Sequence, residues 1–237
     1  MARHTLLMRL AGPMQSWGSQ SRFSVRDTGL VPTKSGVIGL LCAALGRDRA
    51  RPVEDLAALR FGVRVDSEGI MMKDFHTVLD VIKASGAKGK DAVISTRYYL
   101  ADADFLVGLE GTDLELLRTL DHALGRPVWP LFLGRKSFPP AAPVRVPQGL
   151  VRETSLEDAL SAHPWPRPLA RMPRKPPGAL RMVLETPFGE GETVVRDQPH
   201  GAAYADRSFL DRHATTVYLR LDEQVPVREE EACTSPN

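Results

Sequence analysis

The residues best suited to chemistry lie in two segments near the start of the chain. They are Arg9-Leu-Ala-Gly-Pro-Met-Gln-Ser-Trp-Gly18 and Pro32-Thr-Lys-Ser-Gly-Val-Ile-Gly-Leu-Leu-Cys-Ala-Ala-Leu-Gly46. The first reads as a strand that runs into a glycine-bounded loop carrying Gln15, Ser16 and Trp17. The second opens a helix behind Pro32, with Thr33, Lys34 and Ser35 on its first turn. Glycine lets another molecule approach the backbone. A helix N-terminus beside a lysine suits a phosphate, and an indole offers a base a stacking face. A plainer reading of Gln15 and Trp17 is a loop whose indole plugs the edge of the core.

Further cations extend this set. Arg22, Arg26 and Arg97 are candidates for phosphate pairing. Arg135, Lys136 and Ser137 place two cations and a hydroxyl before Pro139 and Pro140, which suits a rigid phosphate clamp; an exposed basic turn is the alternative. His76 sits between Phe75 and Thr77, where it is either structural or a donor to a phosphate or base edge. RNA cleavage would need a base for the 2′-OH and an acid for the leaving oxygen; Lys73, His76, Tyr98 and Tyr99 are candidate parts. The phosphate-loop spacing fails, because the fifth residue after Gly29 is Lys34 itself. No dinucleotide fingerprint follows a strand, the six histidines are scattered, and Asp197, His200, Asp206, Asp211 and His213 read as turn and surface chemistry. No metal and no cofactor is expected.

These residues must be positioned by a mixed chain. His4 to Leu10 reads as a strand, Pro32 to Gly46 as a helix, Asp55 to Leu59 as a helical turn and Phe61 to Val65 as a strand. Ile70 to Leu79 is extended. Val78–Ile82 and Ala92–Thr96 are β-rich arms around the basic segment Lys83-Ala-Ser-Gly-Ala-Lys-Gly-Lys90, so a hairpin is expected over about 78–96. Six-residue arms would reach roughly 20 Å. Arg97 to Leu109 returns as strand, and Asp113 to Leu124 as a helix striped with leucine. A last strand is expected at Trp129 to Leu133. The order strand, helix, strand, strand, helix, strand is that of a ferredoxin-like fold, giving an α+β class.

The expected division is a first domain over 1–138 and a proline-rich connector over 139–178. The connector holds a short helix at Thr154–Ala162, with Thr154 as its N-cap and Glu157 as capping-box partner. A small β-rich domain over 179–224 follows, with strands at Leu180–Glu185, Glu192–Arg196 and Thr215–Leu221. Residues 225–237 read as a disordered tail.

The net charge of +2 is unevenly spread. Residues 1–100 carry 15 Lys/Arg against 9 Asp/Glu, and 101–124 carry 1 against 6. Residues 125–182 carry 10 against 3, and 183–237 carry 5 against 11. Alternating blocks suggest a basic face for phosphates and an acidic face for something else. No apolar run reaches the roughly 18 residues of a membrane span, and the N-terminus lacks the order of a secretory signal. Cys42 and Cys233 are far apart, which does not read as a disulfide framework. A cytoplasmic protein is expected, with no membrane partner.

The two opening segments resemble the CRISPR-associated CasD family, the type I-E Cascade subunit that holds the 5′ end of the guide RNA. Further matches follow in order: Phe61-Gly-Val-Arg-Val-Asp66, Asp74-Phe-His-Thr-Val-Leu79, Tyr99-Leu-Ala-Asp-Ala-Asp-Phe105, Leu133-Gly-Arg-Lys-Ser137, then Arg196-Asp-Gln-Pro199 with Arg207-Ser-Phe-Leu-Asp-Arg212. The resemblance spans roughly residues 4 to 220. It implies a non-catalytic subunit that grips the crRNA 5′ handle, with Gln15, Ser16, Trp17, Arg22, Arg26, Lys34, Ser35, His76, Arg97, Arg135, Lys136 and Ser137 as RNA-binding candidates. The hairpin falls where the family carries a projecting thumb, which makes Lys83, Lys88 and Lys90 thumb residues. The partners implied are the crRNA, a backbone subunit and the large subunit, with target DNA met indirectly within the complex. The rival reading is a metal-independent endoribonuclease that processes precursor crRNA.

Overall fold

A computed structural model describes residues 2–18, 24–82, 86, 92–166, 177–201, 204–206 and 208–220. Arg22, the thumb lysines Lys83, Lys88 and Lys90, residues 167–176 of the proline-rich connector and the 225–237 tail lie outside the described residues.

Among the described residues, nine strands form one large, mostly antiparallel sheet with few helices. They are β1 (His4–Gln15), β2 (Val25–Arg26), β3 (Arg60–Ser67), β4 (Ile70–Val78), β5 (Val93–Gly111), β6 (Arg145–Val151), β7 (Ala179–Glu185), β8 (Thr193–Pro199) and β9 (Phe209–Arg220). The order is β6-β1-β5-β3-β7-β9-β8, with β2 and β4 also paired to β5. β2 runs parallel to β5, and the other pairings are antiparallel. The helices are α1 (Lys34–Leu45), α2 (Glu54–Ala57), α3 (Leu114–Gly125) and α4 (Leu156–Ala162).

Period-two alternation gives the sheet two covered faces. Leu6, Met8, Leu10, Phe61, Val63, Val65, Phe105, Val107 and Leu109 point to the face covered by α1, α2 and α3. Leu7, Leu106, Met182 and Leu184 point to the other face, where Leu156, Ala159 and Leu160 of α4 cover them. Among the described residues no helix is long and apolar enough to cross a membrane.

Several expectations are corrected. Trp129 to Leu133 is not a strand: Val128 and Trp129 donate their N–H groups to the Ala44 and Ala43 carbonyls at the end of α1, which holds this stretch off the sheet. The edge of β1 is taken instead by β6, inside the stretch read as connector. Ser155, not Thr154, caps α4; its hydroxyl accepts from the Asp158 N–H, while the Thr154 hydroxyl donates to the Arg152 carbonyl. The hairpin also starts earlier than expected. β4 and β5 pair in unbroken register from Ile70↔Ala101 to Val78↔Val93, and almost every residue of β4 is exposed.

Candidate nucleic-acid interface

Four pieces of chain meet where β1 ends. Gln15 is fully buried, and its amide nitrogen donates to the Leu10 and Ala103 carbonyls at 2.9 and 2.8 Å. Its side-chain oxygen accepts from the Trp17 indole N–H at 3.1 Å. The loop is thereby tied back onto the sheet, and Trp17 is driven inward until 1% exposed. A Cβ on Gly36 would come within 2.9 Å of the indole ring, so glycine is what lets α1 lie against it. The plug reading of Gln15 and Trp17 therefore replaces base stacking, because the indole's faces are already covered.

The start of α1 also differs from a free phosphate seat. Thr33 caps the helix, its hydroxyl accepting from the Gly36 N–H. The Lys34 N–H donates to Asp197 of β8 at 2.8 Å. The Lys34 side chain turns away, 1% exposed, and its ammonium donates to both Glu185 oxygens at 3.0 Å. Burial pushes its pKa down, while Glu185 opposes the shift. Lys34 is thus a core cation and not a ligand-facing one.

The third piece is the 133–138 turn. Its ends are held by the Leu133 N–H on the Phe138 carbonyl at 2.8 Å, and the Ser16 N–H reaches the Leu133 carbonyl at 3.1 Å. Gly134 adopts φ +87°, and a Cβ there would fall 1.7 Å from the Ser16 carbonyl oxygen. Arg135 is held by donation to the Tyr98 carbonyl at 2.8 Å and lies 5.4 Å over the Phe138 ring. The fourth piece is β5, where Arg97 stands in register with Arg26 of β2 and donates to the Ser95 hydroxyl at 3.1 Å.

Together these enclose a cleft of about 390 Å³ that brings Ser16, Trp17, Arg26, Ser35, Arg97 and Arg135 together. Among the described residues, no carboxylate lies in ion-pair contact with Arg26, Arg97 or Arg135, whereas other arginines of the chain have such partners. Burial pushes the Arg135 pKa down, Arg97 and Arg26 push the same way, and Asp74 and Asp27 oppose them. Three cations crowded at one opening, with hydroxyls beside them, make this a positively charged cleft suited to an anion.

The structure does not bring the other candidates here. Lys136 and Ser137 are exposed and outside the cleft lining, as is His76 on β4. Residues not anticipated as lining are Gly18, Asp27, Thr33, Gly36 and Gly134. The available signal was a glycine, Gly134, directly before Arg-Lys-Ser.

The fold and this cleft define a class. The family described as CRISPR-associated protein (Cas_Cas5) matches residues 5–217, and the chain belongs to that family. It is 37% identical over 157 residues to the CRISPR system Cascade subunit CasD of Escherichia coli K12, covering 60% of this chain and 70% of that one. A crystal structure of a Cas protein is similar at TM-score 0.75 and 46% identity, over 94% of this chain and 98% of the other. A chain of a CRISPR RNA-guided surveillance complex is similar at TM-score 0.72 and 32% identity, over 91% and 90%.

Proposed function

We propose that this chain is the subunit of a type I-E Cascade complex that holds the 5′ handle of the crRNA without cutting it. The observation that carries the reading is the cleft ringed by Arg26, Arg97 and Arg135. Each nucleotide of a single strand brings one phosphate, and guanidinium groups with no carboxylate partner are the groups that meet it. Similarity to CasD and to a chain of a surveillance complex supports placing the subunit in that assembly, in the cytoplasm beside a backbone subunit and the large subunit. Target DNA is then met through the guide, whose base pairing reads the sequence.

The core is read as ferredoxin-like. The supporting observation is the order β6-β1-β5-β3, the fourth, first, third and second strands of such a unit, with α1 and α3 as its two helices. β7 to β9 are read as the small C-terminal unit appended at β3. The β4–β5 hairpin is read as the thumb; its exposed Ile70, Met71, Met72, Phe75 and Ile94 suit a protein neighbour more than solvent.

The endoribonuclease reading is weakened by strand parity. Lys73 stands opposite Tyr98, while His76 and Tyr99 lie an odd number of residues away along their own strands. Lys73 and Tyr98 therefore face one side of the hairpin, and His76 and Tyr99 the other.

The test is binding of handle RNA across a salt series by wild type, Arg97→Ala, Arg135→Ala and the double variant. Each single change should weaken binding about tenfold and lower the log–log salt slope by about 0.7, the value for one single-strand phosphate contact. Unchanged slopes would refute the cleft as the phosphate site. The same RNA should stay intact in EDTA; a discrete cut at the repeat would restore the nuclease reading.

A further inference from the structure

The Lys34 N–H is anchored by Asp197, a residue from the other end of the chain. Asp197 is 1% exposed and far from the cleft lining in sequence. One oxygen accepts from the Lys34 N–H at 2.8 Å, and both accept from Arg212 at 2.8 and 2.9 Å. Arg212 is itself fixed over the Phe61 ring at 5.2 Å. At the other end of the same residue, Glu185 of β7 receives the Lys34 ammonium and also the Phe61 N–H at 2.9 Å. The first turn of α1 is therefore bolted to β3, β7 and β8. Thr33, Ser35 and Gly36, which flank Lys34, form one wall of the cleft.

We propose that Asp197 is a positioning residue for RNA binding: through the Lys34 N–H it sets where the Ser35 and Gly36 wall stands relative to Arg97 and Arg135. The inference rests on the cleft being the RNA site. Asp197 has no place in the lining and is held by Arg212, so it does not touch the ligand. An internal carboxylate already serves this N–H, which leaves the arginines to meet the RNA phosphates while the wall bounds the strand. A displaced wall would fit the strand less well while every phosphate-pairing cation stayed in place.

That distinction makes the proposal testable with handle RNA and the full chain. Asp197→Ala should weaken binding about tenfold with the salt slope unchanged, because no phosphate contact is lost. Asp197→Asn keeps an acceptor for the Lys34 N–H and should bind within about twofold of wild type. Should Asp197→Ala fail to fold, Asp197→Leu combined with Arg212→Met removes the buried charge and the cap together and takes its place. Wild-type affinity in a folded Asp197→Ala, or in that double variant, would overturn the proposal even if thermal stability fell. So would Asp197→Asn binding as poorly as Asp197→Ala. If Arg97→Ala and Arg135→Ala also bind normally, the cleft reading fails first and this inference falls with it.

Discussion

The cleft and the interior of the same sheet use arginine in opposite ways. Beneath α4, Arg64 is fully buried and donates to both oxygens of Asp66 and to the carbonyls of Leu160, His163 and Pro164. Arg9 meets Asp104 on the neighbouring strands, and Arg212 meets Asp197. Each of these cations is matched by a carboxylate, and Arg64 by carbonyls as well, as burial of a charge requires. At the cleft, Arg26, Arg97 and Arg135 crowd each other; Arg97 and Arg135 donate to a hydroxyl and a backbone carbonyl, and among the described residues no carboxylate is in ion-pair contact with the three. A matched cation closes a structure, whereas an unmatched set leaves an attraction to be completed from outside. Charge count alone would have ranked the two regions as equals.

The largest effect is expected where a matched cation is removed. Arg64→Ala leaves Asp66 buried without its cation and strips the end of α4 of its donor, as three carbonyls lose their partner. Breaking a buried pair from one side costs about 3–5 kcal/mol, so urea denaturation should show a protein near or past its stability limit. Arg97→Ala, measured in parallel, should move the midpoint by no more than about 0.5 kcal/mol. Equal losses at the two positions would erase the contrast.

A smaller effect tests whether the unmatched cations are held or merely tethered. Gly134→Ala forces a Cβ into the Ser16 carbonyl at a backbone angle alanine avoids. The 133–138 turn must shift and carry Arg135 with it. We expect a loss of about 2–3 kcal/mol in stability, and RNA affinity reduced as far as in Arg135→Ala. Full affinity in a folded Gly134→Ala would mean that Arg135 finds its ligand without a fixed perch.

Much of this was legible in the chain, and the exceptions share a cause. The helix read over Pro32 to Gly46, the leucine stripe of α3 and strand β3 follow from local periodicity and turn residues, whereas the hairpin expected over about 78–96 has its described pairing from Ile70↔Ala101 to Val78↔Val93. The family segments were also legible, but their jobs were not. Phe61-Gly-Val-Arg-Val-Asp66 and Arg196-Asp-Gln-Pro199 look like surface-charge motifs in one dimension, yet they place Arg64, Asp66 and Asp197 in the interior. Lys34 misled for the same reason, since its partner Glu185 lies 151 residues away. β6 escaped because Pro147, its polar residues and the prolines before it read as linker, and its strand state comes from the edge that β1 offers. Local rules report local interactions, and the site is decided by which cations find distant carboxylates.

The smallest prediction asks how complete that matching is. Burial pushes the Asp66 pKa up to about 6, against the pull of Arg64. A carboxyl with a raised folded pKa keeps its proton after the unfolded chain has released it. The stability it contributes is therefore present below about pH 4 and is lost as pH rises toward 6. Asp55 and Glu157, lowered by Arg47 and Arg60, have the opposite sign, and their contribution is lost as pH falls through the acid range. Between pH 5 and 6.5 the Asp66 trend should stand clear of theirs. The stability difference between wild type and Asp66→Asn, read by urea denaturation, should shrink by on the order of 1–2 kcal/mol as pH rises across that window, to wild type's disadvantage. A flat difference would show that Arg64 keeps Asp66 ionised throughout. The interior would then be as fully paired as the cleft is unpaired, and the contrast between the two regions would be sharper still.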